Sequence, residues 1–318
     1  MIVTVTLNSA IDRTLTVPNF QLGHRHRASQ GLTLAGGKGI NIARALKLLD
    51  VPVVATGLVG GRTGMQILEE LSEEAILNDF VRIEDESRTS TAVVDPTAAR
   101  YTEINEWGPH VRGDELEPLL EKLHYLARDA AFVVFAGTLP RGVDERFYAD
   151  AIRDLNRRGV RTVLDTEGEP LRRGTEAEPF LVSPNQSEAE DLVGQELSDE
   201  QDFLFALEEI AEIGARNVLI TQTSGCYALL RSGRGRTAFH ATAATVEPMS
   251  PVGAGDVLLA GFVAALAADA PPEAAVRSAV AAGTAATLEV GAGRFDVRQA
   301  GRLAADVDVA ILEPVTSR

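Results

Sequence analysis

Residues 250–262 read SPVGAGDVLLAGF, so three small residues lead into Asp256, and an apolar run follows it directly. An apolar run after a glycine-rich turn is typical of a buried helix, and an aspartate at such a start is often only a helix N-cap. However, Gly253, Ala254 and Gly255 have little or no side chain, so a ligand can approach backbone N–H groups that bind anions at a helix start. A carboxylate beside an anion site suggests phosphoryl transfer, with Asp256 accepting the proton of the attacking hydroxyl.

A second glycine-rich segment, LAGGKGINIARAL at residues 34–46, precedes another predicted helix. Gly36 and Gly37 permit a tight turn and a close approach by a ligand. Lys38 projects from the start of this helix, and Asn41 lies in its first turn, where a side-chain amide can bind hydroxyl groups. Alone, the segment is explained equally well as a plain turn before a helix, but its pairing with the late glycine loop favours a ligand site.

Strand-like and helix-like segments alternate along the chain, which predicts a mostly parallel sheet with helices on both faces. The predicted strands are 2–7, 51–58, 131–136, 162–165, 180–182 and 218–221. The predicted helices are 39–49, 65–77, 145–157, 188–193, 203–213, 254–268, 272–289 and 295–305, so the last third is expected to be almost entirely helical. Ligands of such sheets bind at the carboxyl ends of the strands.

Two polar stretches, residues 9–34 and 87–107, interrupt this alternation with short β-like patterns such as TSTAVVD and YTEINEW. We predict that they form a small antiparallel sheet, which can serve as a lid over an active site, as a dimer contact, or as both. No linker separates independent domains, so residues 1–318 are expected to form one domain that carries this lid. Because exposed edge strands are normally covered or paired, we expect a homodimer joined through the lid.

The composition predicts a soluble, cytoplasmic protein. The chain has 318 residues, of which 45% are hydrophobic and 24% charged, and its net charge of −16 is opposite to that expected of a nucleic-acid-binding protein. The longest apolar run, Val257 to Ala268, is too short to span a bilayer, and the N-terminus lacks the basic segment of a signal peptide. A single cysteine, Cys226, excludes an intrachain disulfide and a cysteine-rich zinc site.

Several common nucleotide-binding and catalytic motifs do not occur in the sequence. Lys38 does not lie in a P-loop pattern, and neither the dinucleotide-binding GxGxxG nor the nucleophile elbow GxSxG is present. His24 and His26 have no carboxylate or cysteine neighbours in sequence, so we expect no metal site there. The two glycine loops are therefore the main evidence for chemistry.

An early GGKGxNxA and a late GAGD, with an alternating β/α chain between them, resemble the two signatures of the ribokinase/PfkB carbohydrate kinases. The resemblance covers essentially the whole chain and implies a three-layer α/β fold with a small β-sheet lid. Further segments resemble the phosphosugar branch, which contains 1-phosphofructokinase, tagatose-6-phosphate kinase and the PfkB-type 6-phosphofructokinase. These segments are TLNSAID (6–12), GHRHRA (23–28), SRT (87–89), INEWGP (104–109), GTLPRGV (137–143) and DTEGEPL (165–171).

The resemblance implies a role for individual residues. Asp256 is implied as the catalytic base, with the N–H groups of Gly253, Ala254 and Gly255 around the transferring phosphate. The residues implied for the phosphosugar are Asp12, Gly37, Lys38, Asn41 and Asn105, with Arg27 and Arg88 on its phosphate. The residues implied for ATP are Asn185, Glu188, Thr221, Gly225, Gly253 and Gly255. Glu188 is expected to reach Mg²⁺ through water, because magnesium retains several of its waters.

The resemblance thus implies an ATP- and Mg²⁺-dependent kinase, with fructose 1-phosphate as the first choice of substrate. Tagatose 6-phosphate or fructose 6-phosphate, a nucleoside or an unphosphorylated sugar, and a non-catalytic sugar-phosphate sensor stay open as alternatives. The chain departs from the branch at Ser9, Ser183 and Pro251, where proline, lysine and threonine are usual. Its nucleotide loop, usually SLGxxG, reads TQTSGC at 221–226, with Gly225 as its one glycine.

Overall fold

The computed structural model describes residues 1–98, 100–232 and 235–312. Its strands are β1 Ile2–Thr6, β2 Ala10–Thr16, β3 Gln30–Gly36, β4 Val53–Gly60, β5 Asn78–Ile83, β6 Arg88–Asp95, β7 Arg100–Asn105, β8 Phe132–Ala136, β9 Arg161–Asp165, β10 Leu181–Val182, β11 Val218–Gln222, β12 Gly225–Ser232, β13 Gly235–Thr242 and β14 Asp308–Leu312. Its α-helices are α1 Lys38–Leu48, α2 Gly61–Glu73, α3 Gly113–Leu126, α4 Phe147–Arg157, α5 Gly168–Thr175, α6 Gln186–Val193, α7 Glu200–Ile213, α8 Ala254–Ala267, α9 Pro272–Ala286 and α10 Val297–Leu303.

A ten-stranded sheet forms the centre of the molecule, in the order β14-β13-β12-β11-β10-β9-β8-β1-β4-β5. The pairs from β11 to β5 are parallel, whereas β11 to β14 pair in antiparallel fashion. Alternate residues of a strand point to opposite faces. Ile2 therefore packs in a core with α1, α2 and α8 to α10, whereas Val3 and Val5 pack in a second core with α3 to α7.

The predicted three-layer α/β class is confirmed by this arrangement, but the prediction for the end of the chain is wrong in part. β12, β13 and β14 extend the main sheet after residue 221, where no strand was predicted. β14 is a short edge strand with mostly exposed residues, so it lacks the apolar alternation that identifies a half-buried strand. Within the described residues, no helix is long and apolar enough to cross a membrane.

A separate four-stranded sheet has the order β3-β2-β6-β7 and contains both polar stretches. Its central pair, β2 with β6, is parallel, although the sequence analysis predicted an antiparallel sheet. The reason lies in the main sheet, where β1 and β5 run in the same direction and are followed directly by β2 and β6. All six residues of the edge strand β7 are exposed.

Candidate active site

Asp256 lies in the first turn of α8 and is buried, with only 7% of its surface exposed. The N-cap of this helix is Gly253, whose φ of 77° favours glycine, so the explanation of Asp256 as an N-cap is wrong. A side chain at Gly253 would also lie 2.7 Å from the Cα atom of Ala292. The glycine therefore allows the loop after α9 to pack against the start of α8.

The backbone at the start of α8 offers fewer free donors than the sequence analysis predicted. The N–H group of Ala254 donates to the carbonyl of Pro251 at 3.2 Å. The N–H groups of Gly253 and Gly255 have no partner in the described part of the chain. These two groups are thus available to an anion, as is usual in the first turn of a helix.

Asn41 connects the two glycine loops. Its Nδ2 donates to Oδ2 of Asp256 at 2.8 Å, which brings the first turn of α1 against the first turn of α8. Burial raises the pKa of the Asp256 carboxyl well above its ordinary value of 3.8, and the nearby Asp165 raises it further. Lys38 and the hydrogen bond from Asn41 oppose this rise in pKa.

Lys38 lies among carboxylates. Its Nζ is 2.7 Å from Oδ1 of Asp165 and 3.5 Å from Oε1 of Glu188. Burial by itself would lower the pKa of Lys38, but the attraction of Asp165, Glu188 and Asp256 outweighs burial and raises the pKa. The ammonium group therefore stays charged and provides a fixed positive charge beside Asp165 and Glu188.

Asn185 and Glu188 form a capping box at the start of α6. Oδ1 of Asn185 accepts from the Glu188 N–H at 2.9 Å, and Oε2 of Glu188 accepts from the Asn185 N–H at the same distance. This pairing leaves Oε1 of Glu188 to face Lys38. Thr221 lies beside this turn, because its N–H donates to the Pro184 carbonyl at 2.9 Å.

Gly225 has a structural explanation that needs no ligand. It pairs with Gln222 in the tight turn between β11 and β12, and its φ is 143°. A side chain there would lie 1.9 Å from the carbonyl oxygen of Ala241 on β13. Glycine at this position is therefore required by strand packing, and the structure does not indicate a role in nucleotide binding.

On the opposite side of the site, Asp12 of β2 approaches the end of β3. A side chain at Gly36 would lie 2.1 Å from the Asp12 carboxyl group, so glycine is needed for this approach. The N-cap of α1 is Gly37, with a φ of 105°. Burial raises the pKa of Asp12 to about 6, although Arg88 and Arg44 act in the opposite direction.

The structure brings Arg88 and Asn105 together but leaves Arg27 apart. Arg88 donates to Oδ1 of Asn105 and to the Asn8 carbonyl, both at 3.3 Å. Arg27 is exposed in the connection between β2 and β3, and it forms no hydrogen bond or ion pair with the residues described. Its expected role on the sugar phosphate therefore gains no support from the geometry.

A cavity lies between the four-stranded sheet and the loops around α8. Polar residues and the apolar residues Leu32 and Leu34 of the sheet line one side, and residues of the loops line the other. The lining includes Asp12, Arg13, Ser90, Glu103, Val252 and Ala292. The cavity lies between Asp12 and the loop that precedes α8, and its volume of about 20 Å³ is enough for about one water molecule.

Two residues of the site, Asp165 and Arg44, were not identified from the sequence. Asp165 is the last residue of β9, and a carboxylate at the end of a buried strand is the signal that could have identified it. Arg44 is 96% buried and lies one turn after Asn41. Arg44 could have been identified as a charged residue that interrupts the small and apolar residues of its helix, because such a residue is buried only when it has partners.

A family model described as pfkB family carbohydrate kinase matches residues 2–298. The chain belongs to this family. It is therefore a sugar kinase, which transfers phosphate to a hydroxyl group, and membership of a kinase family implies that it uses ATP. The fold and the order of the two glycine loops along the chain agree with the predicted resemblance to this family.

The chain is similar over most of its length to proteins named 1-phosphofructokinase. The chain is 33% identical to a 1-phosphofructokinase of Borreliella burgdorferi, covering 91% of this chain and 92% of that protein. It is 32% identical to a 1-phosphofructokinase of Bacillus subtilis, covering 93% and 96%. Phosphofructokinase-2 of Escherichia coli, solved with substrates and products, is 28% identical with a TM-score of 0.88 and coverage of 96% and 98%. A structure of that enzyme in a tetrameric inhibited form has a TM-score of 0.85.

Proposed function

We propose that this pfkB family kinase phosphorylates fructose 1-phosphate and produces fructose 1,6-bisphosphate, with ATP as the phosphate donor. The observation that carries the proposal is the buried Asp256, held by Asn41 at the start of a helix whose first N–H groups include free donors. The two 1-phosphofructokinase relatives support the choice of substrate.

In the proposed reaction, Asp256 accepts the proton of the attacking sugar hydroxyl. Its Oδ2 is held by Asn41, which leaves Oδ1 to face the hydroxyl. The N–H groups of Gly253 and Gly255, together with the ammonium of Lys38, stabilise negative charge on the transferring phosphoryl group. On the acceptor side, Asp12 and Asn41 hold sugar hydroxyls, and Arg88 with Asn105 holds the phosphate already present on the sugar.

The carboxylates beside Lys38 suit the Mg²⁺ that phosphoryl transfer requires. Magnesium in kinases is bound by one or two carboxylates together with nucleotide phosphates and water. The described residues contain no cluster of three or more histidine, cysteine or acidic residues that could hold a metal, so the nucleotide must supply part of the coordination. Glu188 would hold the ion through water, and bound Mg²⁺ would neutralise charge on the nucleotide phosphates.

Fructose 6-phosphate is a second candidate, because the overall structure is closely similar to phosphofructokinase-2 of Escherichia coli. An assay of ADP release with fructose 1-phosphate, fructose 6-phosphate, tagatose 6-phosphate, fructose and a nucleoside distinguishes the candidates. We expect the highest kcat/KM with fructose 1-phosphate. Tight binding of a sugar phosphate without ADP release would instead indicate a sensor and contradict the proposed function.

The raised pKa of Asp256 makes a prediction about pH. The base must be deprotonated to act, so kcat/KM should fall as the pH falls through the pKa of the free enzyme. Because burial raises this pKa, the acidic limb should lie well above pH 3.8, the ordinary value of an aspartate. A pH profile of kcat/KM measures this limb, and a profile that stays flat down to pH 5 would contradict the assignment of Asp256.

The exposed four-stranded sheet makes a prediction about assembly. Its edge strand β7 is exposed along its whole length, and proteins normally cover or pair such an edge. We expect a homodimer joined through residues 9–34 and 87–107, with a mass about twice the chain mass of 33.9 kDa. Light scattering at assay concentration measures the mass, and a monomer there would exclude this dimer. The tetrameric form of the Escherichia coli enzyme supports self-association in the family.

A further inference from the structure

Arg44 is a buried arginine on α1, and its guanidinium donates hydrogen bonds to four other residues. We infer that Arg44 is a positioning residue, which fixes the side-chain amide of Asn41 in the one orientation that donates to Asp256. The inference deepens the proposed function and rests on it, because it takes Asp256 as the proton acceptor. It adds a residue that contacts neither the reacting hydroxyl nor the phosphates.

The orientation of the Asn41 amide is fixed from both ends. Nη1 of Arg44 donates to Oδ1 of Asn41 at 3.2 Å, and Nδ2 of Asn41 donates to Oδ2 of Asp256 at 2.8 Å. A guanidinium can only donate and a carboxylate can only accept. A rotated amide would therefore place oxygen against the Asp256 carboxylate and NH₂ against the guanidinium, so one orientation alone satisfies both neighbours.

The helical backbone places Asn41 and Arg44 next to each other. Asn41 and Arg44 are three residues apart on α1, so their side chains lie on the same face of the helix. This spacing lets the guanidinium reach the amide without leaving its own buried position. The contact is therefore built into the helix and needs no loop to close.

Arg44 is itself held by three other parts of the fold. It donates to the Ala35 carbonyl at the end of β3 at 2.6 Å and to the Ala292 carbonyl at 3.0 Å. Its Nε and Nη2 also contact the Glu74 carboxylate at 2.6 and 3.1 Å. Burying a charge is costly unless it is paired and fully hydrogen-bonded, and these contacts meet that requirement. They also prevent the guanidinium from turning away from Asn41.

Loss of the Arg44 side chain should raise the pKa of Asp256. The groups that act on its carboxyl are the carboxylates of Asp165 and Asp12, which raise its pKa, and Lys38 and the Asn41 amide, which lower it. If Asn41 lost its fixed orientation, the donor would be lost, and at times a carbonyl oxygen would face the carboxylate. The pKa of Asp256 would then rise, and less of the base would be ready at a given pH.

The test compares Arg44→Met with Arg277→Met in pH profiles of kcat/KM. Arg44→Met removes every donor but keeps an unbranched side chain, and we expect the acidic limb to move to higher pH by about one pH unit. Arg277→Met makes the same change at an arginine of α9 that contacts Glu273 and the Ala304 carbonyl, so it serves as the matched control, and its limb should match the wild type. An unmoved limb in Arg44→Met would overturn the inference.

A double-mutant cycle separates positioning from simple loss of charge. Removing a cation can raise the pKa of a nearby carboxylate without any help from Asn41. In an Asn41→Ala background, Arg44→Met should therefore move the limb no further, because the amide through which it acts is gone. The same displacement in both backgrounds would show that Arg44 acts by charge alone and would also overturn the inference.

A direct titration of the Asp256 carboxyl group tests the role of Arg44 without any enzymatic turnover, so its result does not depend on the proposed function. With ¹³C-labelled aspartate, the Asp256 carboxyl signal is identified by its loss in Asp256→Asn, and its pKa is followed by NMR. We expect a higher pKa in Arg44→Met than in the wild type, and an equal pKa would contradict the inference. If Arg44→Met does not fold, Arg44→Lys replaces it, since one ammonium cannot serve all four partners. If the wild-type protein phosphorylates no sugar, the proposed function is refuted, whereas the effect of Arg44 on the pKa of Asp256 is still measured by the titration.

Discussion

Replacing Asp256 by asparagine should lower kcat by about 10²- to 10⁴-fold, the usual contribution of a general base. Asparagine has nearly the same shape and can still accept a hydrogen bond from Asn41, but it cannot take the proton of the sugar hydroxyl. Gly253 is the N-cap of α8, so the substitution leaves the helix start intact. Mg-ATP binding, measured by titration calorimetry, should survive. A near-normal kcat would refute the role of Asp256 as the base.

Stability gives an independent control for this variant. Because the pKa of Asp256 is raised from 3.8 to about 7 in the folded protein, the folded state binds this proton more tightly. The contribution of Asp256 to the free energy of unfolding is therefore fully present below pH 3.8 and is lost as the pH rises through about 7. At pH 8 a neutral asparagine should therefore leave Tm equal or higher. Glu273→Gln removes a first-turn carboxylate from α9, away from the site, and should change neither kcat nor nucleotide binding.

Replacing Arg88 by alanine should raise KM for the sugar phosphate by about 10- to 150-fold, the range of one hydrogen bond to a charged group. The chain carries a net charge of −16, so a local cation is needed to capture an anionic substrate. Arg88 lies beside Asn105 on the four-stranded sheet, and its planar guanidinium can bind two phosphate oxygens. KM for ATP should remain nearly unchanged.

Free fructose is the control substrate for Arg88→Ala. Any slow turnover of this sugar should be unaffected, since it has no phosphate for Arg88 to bind. Arg153→Ala removes an exposed arginine from α4 and should leave all kinetic constants unchanged. Equal losses with fructose and with the sugar phosphate would show that Arg88 does not recognise the phosphate. The substrate would then be an unphosphorylated sugar or a nucleoside.

The strand–helix alternation was sufficient to predict the class of fold. β8 is fully buried and is a continuous apolar run, and the fully buried β1 consists of the β-branched residues that favour strands. The direction of β2 beside β6 was not predictable from either stretch. It depends on β1 and β5 running in the same direction in the main sheet, which is a property of the assembled fold. The exposed β14 has too little apolar pattern to be recognised.

The residue types of the two glycine loops were enough to predict that the loops belong to one site, but not which of their residues are in contact. Local sequence cannot show that Asn41 reaches Asp256, because the turns that hold them meet only through tertiary packing. The same holds for Asp165, whose carboxylate reaches Lys38 across neighbouring elements. The contact between Asn185 and Glu188 is more local, since the two residues are three positions apart and form a capping box.

The hydrogen bond between Asn41 and Asp256 joins residues 215 positions apart, so the two halves of the site are made at very different times during synthesis. Contacts between distant residues form late, because the intervening chain must first lose its freedom. A nascent chain that has emerged only as far as β13 contains Lys38, Glu188 and the strands that carry Asp12 and Arg88, but it lacks Asp256. Such a chain also lacks α8 to α10, which form much of the core around Ile2, so the site is complete only when nearly the whole chain has been made.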